Sequence, residues 1–406
     1  MQRTLAPILG VLILKPIIRR GYITIEIIQT FLSILTLFIL PVTIFASINI
    51  IKNHHADGIT FILIIILLIR FNQTRVIKFY ILFEIRLIPI FFLIIGWGYQ
   101  PERIIASFTI FIYTFFRSLP LLIIIFLVGV EVGDFGLRVR VNNLIRWPRS
   151  ISIFILLAFL VKIPVFIVHI WLPKAHVEAP VSGSIILAAL ILKLGGVGLI
   201  YITELLLSEW VLNLLISISA IGCLFLGVFI ICCPDIKVII AYSSVVHISI
   251  LSVIFLRRSK LGLLGGLLMM VSHGFTSSGL FSLANSLYEN RHRRRSILNK
   301  GLLSISPVIS IIGFILITIN FGGPFTVNLI SEIIIISYLA NINHFFSIIV
   351  FTMCFSALVY NLVFYSTINQ GVNMSNIRSL KISSREIILL AVQTFPSFLI
   401  LISLQL

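Results

Sequence analysis

Negative charge is scarce in this sequence, and charge of any kind is sparse. Asp and Glu number 13 in 406 residues against 30 Lys and Arg, and charged residues make up only 11% of the chain. A soluble globular domain carries about 25%, so a soluble enzyme or binding module is excluded. Cysteine is also rare. Cys223, Cys232, Cys233 and Cys354 lie in or beside apolar runs, and no CxxC pair occurs. That spacing offers no zinc or iron–sulfur site and no secreted disulfide framework. No metal or cofactor is therefore expected on this chain. The period-two alternation of a membrane barrel, in strands of about 10 residues, is absent. The start of the chain has neither a short apolar core with a small-residue cleavage site nor an Arg/Ser-rich transit pattern.

Long apolar runs fill the space that charge leaves. The chain is 59% hydrophobic, with mean hydropathy +1.18. Runs of about 20 apolar residues mark membrane helices. The expectation is an all-α polytopic membrane protein, one domain over 1–406, with about twelve crossings. The predicted spans are 23–51, a short 59–71, 76–97, 104–130, 150–171, 180–202, 210–232, 236–256, 261–288, 302–320, a half-length 324–339, 345–365 and 385–404. Residues 1–20 carry Lys15, Pro16, Arg19 and Arg20 and predict a short or interfacial helix. The formal charge of +17 is a loop surplus of the positive-inside kind. Clusters such as Arg291–Arg295 predict contact with anionic lipid, cardiolipin included. Without a soluble basic domain, nucleic acid is not an expected partner.

Two places predict broken helices. At Lys162-Ile163-Pro164 the proline removes a backbone donor, and at Asn320-Phe321-Gly322-Gly323-Pro324 a long apolar stretch is split. Unwound backbone at membrane depth survives only inside protein or beside a wet cavity. Paired breaks in the two halves of a chain point to inverted transporter repeats.

Six ionisable residues lie deep within these spans. Glu84 sits in FYILFEIRLIPIFF, Lys162 in AFLVKIPVF and Lys193 in ILAALILKLGGVG. His247 sits in AYSSVVHISIL, His273 in LLMMVSHGFTSSGLF and Glu332 in VNLISEIIII. Charge at the bilayer centre costs about 2.5–3.5 kcal/mol on insertion scales, so such residues are functional candidates. The chemistry they suit is proton transfer. Burial lowers the proton affinity of lysine and raises that of glutamate, and an opposite charge nearby pulls both back. A Glu–Lys pair that opens and closes thus takes up and releases protons without a cofactor, and histidine relays them near neutral pH. Structural roles compete with this reading. Glu84 can pair with Arg86 to join helices, the lysines can snorkel, the histidines can be satisfied core residues, and Glu332 can cap the half-helix after the break. His169 and His176, in the same polar stretch as Lys162, are secondary relay candidates or structural residues. Haem ligation by His247 and His273 finds little support, because few small residues clear space around them.

The stretch WLPKAHVEAPVSGSIILAALILKLGGVGL at 171–199 resembles the chain 4 family of mitochondrial NADH:ubiquinone oxidoreductase, respiratory complex I. GWGYQPER at 96–103, SLPLL at 118–122, IAYSSVVH at 240–247, HGFTSSGLFSLAN at 273–285, NKG at 299–301 and NLISE at 328–332 agree in order, so the resemblance runs from about 70 to 370. It implies an antiporter-like, proton-pumping subunit of the membrane arm, in the mitochondrial inner membrane beside similar chains. NAD, FMN, iron–sulfur clusters and ubiquinone would belong to other subunits. By resemblance Glu84 is the acid paired with Lys162 at the broken helix, and Lys193 is the central relay. His247 and His273 lie on the central axis, and Glu332 is the acid at the second break. The family glutamate normally lies well over a hundred residues in, so one or two N-terminal helices are expected to be missing. Arg86 and Arg117 stand where relatives have a small residue. Two explanations are open for them. One is real charge compensation, with Arg86 pinning Glu84 in competition with Lys162. The other is a codon that some mitochondrial codes read as serine or glycine. Two further readings of the whole chain stay open, a subunit of a multi-subunit sodium/proton antiporter and a non-transporting scaffold.

Overall fold

The computed structural model describes residues 25–47, 54–73, 76–132, 149–202, 209–257, 259–342, 344–371 and 383–405. The expected helix within 1–20 lies outside them. The helices, in chain order, are α1 Ile25–Ser47, α2 His54–Phe71, α3 Val76–Ile85, α4 Leu87–Trp97, α5 Arg103–Val132, α6 Arg149–Lys162, α7 Trp171–Glu178 and α8 Val181–Ile186. They continue with α9 Leu192–Ile202, α10 Glu209–Cys232, α11 Ile236–Arg257, α12 Lys260–Arg291, α13 Leu302–Ile305, α14 Pro307–Asn320, α15 Val327–Ile342, α16 His344–Asn369 and α17 Ser384–Gln405. A π-turn, Leu187–Ile191, joins α8 to α9, and a 3₁₀ turn spans Ser296–Asn299. Among the described residues there is no strand, only an isolated bridge between Asp235 and Arg295.

Among the described residues eight spans are long and apolar enough to cross a membrane: α1, α3 with α4, α5, α8 with the π-turn and α9, α10, α11, α12 and α16; a ninth forms if the pair bent by 120° at Ser306 is taken together. That is fewer than the expected twelve. Polarity is distributed inside out relative to a soluble protein. The most apolar 18 residues of α12 are all buried yet have the lowest hydropathy of the eight, 1.3, whereas only 28% of those of α16, at 2.0, are buried. Phe116, Ile221, Phe225, Phe351 and Phe355 all lie on the outer surface, as lipid contact requires. Lipid offers no hydrogen bonds, so polar side chains gather on interior helices. The buried hydroxyls there bond to carbonyls of their own helix one turn back, as Ser277 does with His273 O at 2.6 Å and Ser243 with Ile240 O at 2.8 Å.

The element order holds an internal repeat. In the first set, α2, α3–α4, α5, α6–α7 and α8–α9 follow one another. In the second, α10, α11, α12, α14–α15 and α16 do the same. Each set has five members, and in each the fourth is broken in mid-course. Because five is odd, the second set starts from the end of the bundle opposite to the first, which gives the inverted arrangement of transporter repeats.

Candidate functional site

The first break is longer than a proline kink. The helical hydrogen-bond pattern stops after Lys162, the last residue of α6, and resumes at Trp171. Pro164 has no N–H, and the amide of Val165 turns to Ile163 O at 2.6 Å. Ile167 takes a positive φ of 80°, which is costly for a β-branched residue. The freed carbonyl of Val161 accepts a hydrogen bond from the Trp171 indole at 2.8 Å, which ties the two halves together across the gap. The break lies directly on α9. A Cβ on Gly195 would stand 2.7 Å from Ile163 Cγ1, 2.9 Å from Ile163 N and 3.1 Å from Lys162 C. Only glycine allows that approach.

Lys162 ends α6 with its Nζ 3.9 Å from Glu84 Oε1 and 4.7 Å from the centre of the Phe83 ring. Neither Nζ nor the Glu84 oxygens has a hydrogen-bond partner among the described residues. The pair is thus a charge contact with no hydrogen bonds to hold it shut, and such buried pairs are costly to desolvate. Lys193 lies two residues before Gly195, and its Nζ donates to Ala188 O at 2.7 Å. Ala188 lies in the π-turn. A π-turn shifts the register of backbone bonds and is a frequent companion of functional sites.

The second break turns at Phe321–Thr326. Gly323 N bonds Thr318 O at 2.7 Å to close α14, and Gly322 takes φ +72°. The Thr326 hydroxyl accepts from Leu329 N at 3.3 Å and caps α15. Asparagines line the turn. Asn328 donates to Asn320 O at 3.1 Å and to Glu332 Oε1 at 3.3 Å. Asn320 donates to Asn361 Oδ1 at 3.2 Å, and Ser272 to Asn328 Oδ1 at 3.0 Å. The Glu332 carboxylate reaches back into the turn, since a Cβ on Gly322 would meet its Oε2 at 2.5 Å. His247 Nδ1 is 3.9 Å from Glu332 Oε1. The ring centres of His247 and His273 are 5.6 Å apart.

The six deep ionisable residues therefore fall into a pair at each break with Lys193 and His273 between them. All are buried except Glu84, which is partly so. The two secondary candidates part company. His169 packs between Phe166 and Tyr242 at 5.6 and 5.8 Å, on the α10–α11 side. His176 is fully buried and stacked on Phe281 at 4.6 Å. It lies within reach of the charges of Lys193 and Lys237.

Arg86 occupies the turn between α3 and α4. Nε donates to Phe83 O at 2.8 Å and Nη1 to Ile191 O, the last carbonyl of the π-turn, at 3.3 Å. Among the described residues the Glu84 oxygens accept no hydrogen bond from it, and the two charges lie within electrostatic reach of each other. Arg117 lies over the Tyr113 ring at 3.8 Å. Sequence reasoning passed over Arg70, which is fully buried over the Phe79 ring at 3.2 Å with no hydrogen bond to any of its nitrogens. It also passed over Lys237 and Glu178 and placed Arg294 at the lipid surface; Glu178 and Lys237 are buried, and Arg294 pairs with Glu178. Among the described residues no group of three His, Cys, Asp or Glu is placed to hold a metal.

Two inverted five-helix sets with paired charges at their breaks define an antiporter-like membrane fold. A family profile described as NADH:quinone oxidoreductase/Mrp antiporter, transmembrane, matches residues 74–358. The chain is 37% identical to NADH-ubiquinone oxidoreductase chain 4 of Ceratitis capitata, over 91% of this chain and 84% of that one. It is 38% identical to the chain 4 of Paracentrotus lividus, over 91% and 83%. Among solved structures it resembles a chain of respiratory complex I from Thermus thermophilus, with a TM-score of 0.80 and 21% identity over 91% of this chain and 80% of that one. The Mrp complex of Dietzia sp. DQ12-45-1b shares the fold at a TM-score of 0.76 and 16% identity, over 85% and 66%. The chain belongs to the NADH:quinone oxidoreductase/Mrp antiporter family and, within it, to the NADH-ubiquinone oxidoreductase chain 4 group.

Proposed function

We propose that the chain is a core membrane-arm subunit of NADH:ubiquinone oxidoreductase that translocates protons across the mitochondrial inner membrane. The observation that carries this reading is an acid facing a basic side chain at 3.9 Å at each helix break, with buried basic groups between them. In this reading no redox step occurs on the chain. NAD, FMN, iron–sulfur clusters and ubiquinone are held by other subunits, and oxidation energy arrives through neighbouring membrane subunits. Opening the Glu84–Lys162 contact frees an ammonium in a medium that disfavours it. The proton then moves inward to Lys193, on to His273 and His247, and leaves by way of Glu332. Closing the contact restores the proton affinity of Lys162. His169 stays structural, held among rings. The exposed Arg293 and Arg295 would attract anionic lipid headgroups, cardiolipin among them.

The test is Lys162→Met, assayed as NADH-driven proton uptake into sealed membrane vesicles beside electron transfer to an artificial acceptor. A relay group of this kind contributes about a hundredfold or more to its transfer step. Pumping should therefore drop by about tenfold or more while NADH oxidation by the acceptor persists. Unchanged pumping sinks the reading. Native electrophoresis with in-gel NADH staining separates it from a free-standing sodium/proton antiporter, which would run in a smaller band without that activity.

A further inference from the structure

Asn328 stands in the first turn of α15, buried at the second break, and both polar atoms of its side chain are engaged. Oδ1 accepts from the Ser272 hydroxyl of α12 at 3.0 Å. Nδ2 donates to Asn320 O, at the end of α14, at 3.1 Å and to Glu332 Oε1 at 3.3 Å. Asn320 is itself held, since its own amide donates to Asn361 Oδ1 of α16 at 3.2 Å, and Asn361 donates to Ala357 O at 2.9 Å. The Asn328 amide is thus fixed by α12 and α14 with α16 behind them, and the Glu332 carboxylate is the movable group that it holds. The same carboxylate oxygen faces a second nitrogen. His247 Nδ1 of α11 lies 3.9 Å from Glu332 Oε1, whereas a proton passes between heavy atoms at about 2.6–3.2 Å. The carboxylate must therefore swing toward α11 by roughly 1 Å before it can take a proton from His247.

We infer that Asn328 is a positioning residue for the last proton transfer: its fixed amide holds Glu332 Oε1 short of His247 and sets the distance over which the acid swings to take the proton. The inference rests on the proton-translocation reading and assigns a residue to its final step. In that step the His247 imidazolium breaks its Nδ1–H bond and Glu332 Oε1 gains the proton, which leaves a neutral imidazole and a carboxylic acid. Asn328 neither gains nor loses a proton. It supplies an N–H aimed at the reacting oxygen, oriented before any charge moves. The competing role is a plain tie between α14 and α15. The bond to Asn320 O is enough for that tie, whereas the other hydrogen of the amide is spent on Glu332.

The test uses the assembled complex in sealed vesicles, with pumping per NADH oxidised followed from mildly acid to mildly alkaline pH and Lys162→Met run beside the variants. Asn328→Ala removes the donor and adds nothing titratable, so pumping should drop by about tenfold at every pH, the scale of a misplacement approaching 1 Å. Asn328→Asp keeps the shape and the oxygen that Ser272 bonds, but sets a second carboxyl against Glu332. Two carboxyls so close share a proton, and only a protonated carboxyl can donate in place of the amide. Pumping by Asn328→Asp relative to the parent should therefore recover as pH falls and decline as pH rises. The titratable groups around the site are His247 on α11 with His273 beside it on α12, and Cys354 and Tyr360 on α16. Parent and variant share them, so they drop out of that ratio. If Asn328→Ala pumps like the parent, or if Asn328→Asp shows the same loss at every pH, the inference is overturned. If neither variant assembles by native electrophoresis, Ser272→Ala decides. It removes the bond that orients the amide and should lower pumping by about threefold; unchanged pumping overturns the inference. If Lys162→Met also pumps normally, it is the proton-translocation reading that fails. If only Lys162→Met is impaired, the role of Asn328 fails and that reading stands.

Discussion

The Gly195→Ala substitution tests the contact between the first break and the relay helix with a single methyl group. The new Cβ would meet Ile163 N at 2.9 Å and Lys162 C at 3.1 Å, both backbone atoms, and Ile163 Cγ1 at 2.7 Å, where ordinary contact begins at 3.4 Å. Rotating a side chain relieves only one of the three, so α9 and the break must separate by roughly half an ångström. Overpacking of this kind costs about 1–3 kcal/mol, offset in part by the better helix propensity of alanine, about 1 kcal/mol. Stability should therefore fall by no more than about 2 kcal/mol, and the complex should assemble. Function should fall further, because Lys162 ends the helix at the break and Lys193 is carried on the helix forced away from it, and a misplacement of about 1 Å costs about a hundredfold in a transfer step. The assay is proton pumping per NADH oxidised in sealed vesicles. Gly96→Ala is the control, since nothing lies within 4 Å of its Cβ, and it should pump like the parent. If Gly195→Ala matches Gly96→Ala in both assembly and pumping, the break does not pack on the relay helix as described.

Other expectations follow from the same geometry. Gly322→Ala combines a left-handed backbone, about 1–2 kcal/mol for a side chain, with a Cβ driven 2.5 Å from Glu332 Oε2; pumping should be lost more completely than in Gly195→Ala, and parity between the two in vesicles would count against the reach of Glu332 into the turn. Trp171→Phe keeps the ring but leaves Val161 O without its 2.8 Å donor; the cost should be about 1–3 kcal/mol, read as a lower midpoint for thermal loss of NADH–quinone activity, and an unchanged midpoint refutes the tie across the break. Arg70 has three buried nitrogens and Arg86 one without a hydrogen bond, which a membrane interior tolerates poorly; peptide masses across 54–102 should therefore show serine or glycine at positions 70 and 86, and arginine at either position means that the guanidinium there is real.

The deep charges were legible because an ionisable residue in an apolar run is conspicuous wherever it falls. Glu84, Lys162, Lys193, His247, His273 and Glu332 needed no knowledge of packing to be found. The breaks were legible in part. Pro164 and Gly322-Gly323-Pro324 announced them, but the unwound length from 163 to 170 depends on Trp171 reaching back to Val161, a contact ten residues away in sequence. The π-turn under Lys193 left no mark, because Leu187–Ile191 has the composition of any buried helix. Lys237, Glu178 and Arg294 were missed for a different reason. Each stands at the end of an apolar run, where a charge ordinarily snorkels to water, and only the fold shows that α7 and the 292–295 turn close over them. The bond from Arg86 to Ile191 O was out of the sequence's reach, because it spans 105 residues.

The two ion contacts are more alike than their chemistry suggests. Glu84 belongs to the second member of the first helix set and Lys162 to the fourth. His247 belongs to the second member of the second set and Glu332 to the fourth. The separations are both 3.9 Å, but the acid and the base have exchanged places. If the sets are related by a two-fold axis in the membrane plane, inversion alone would point the two acid-to-base directions oppositely along the membrane normal. The exchange of acid and base reverses one of them again. Both contacts then carry the same polarity across the membrane, so a field or a moving charge that weakens one along the normal weakens the other in the same sense. Copying the first pair unchanged into the second set would have set the two breaks against each other.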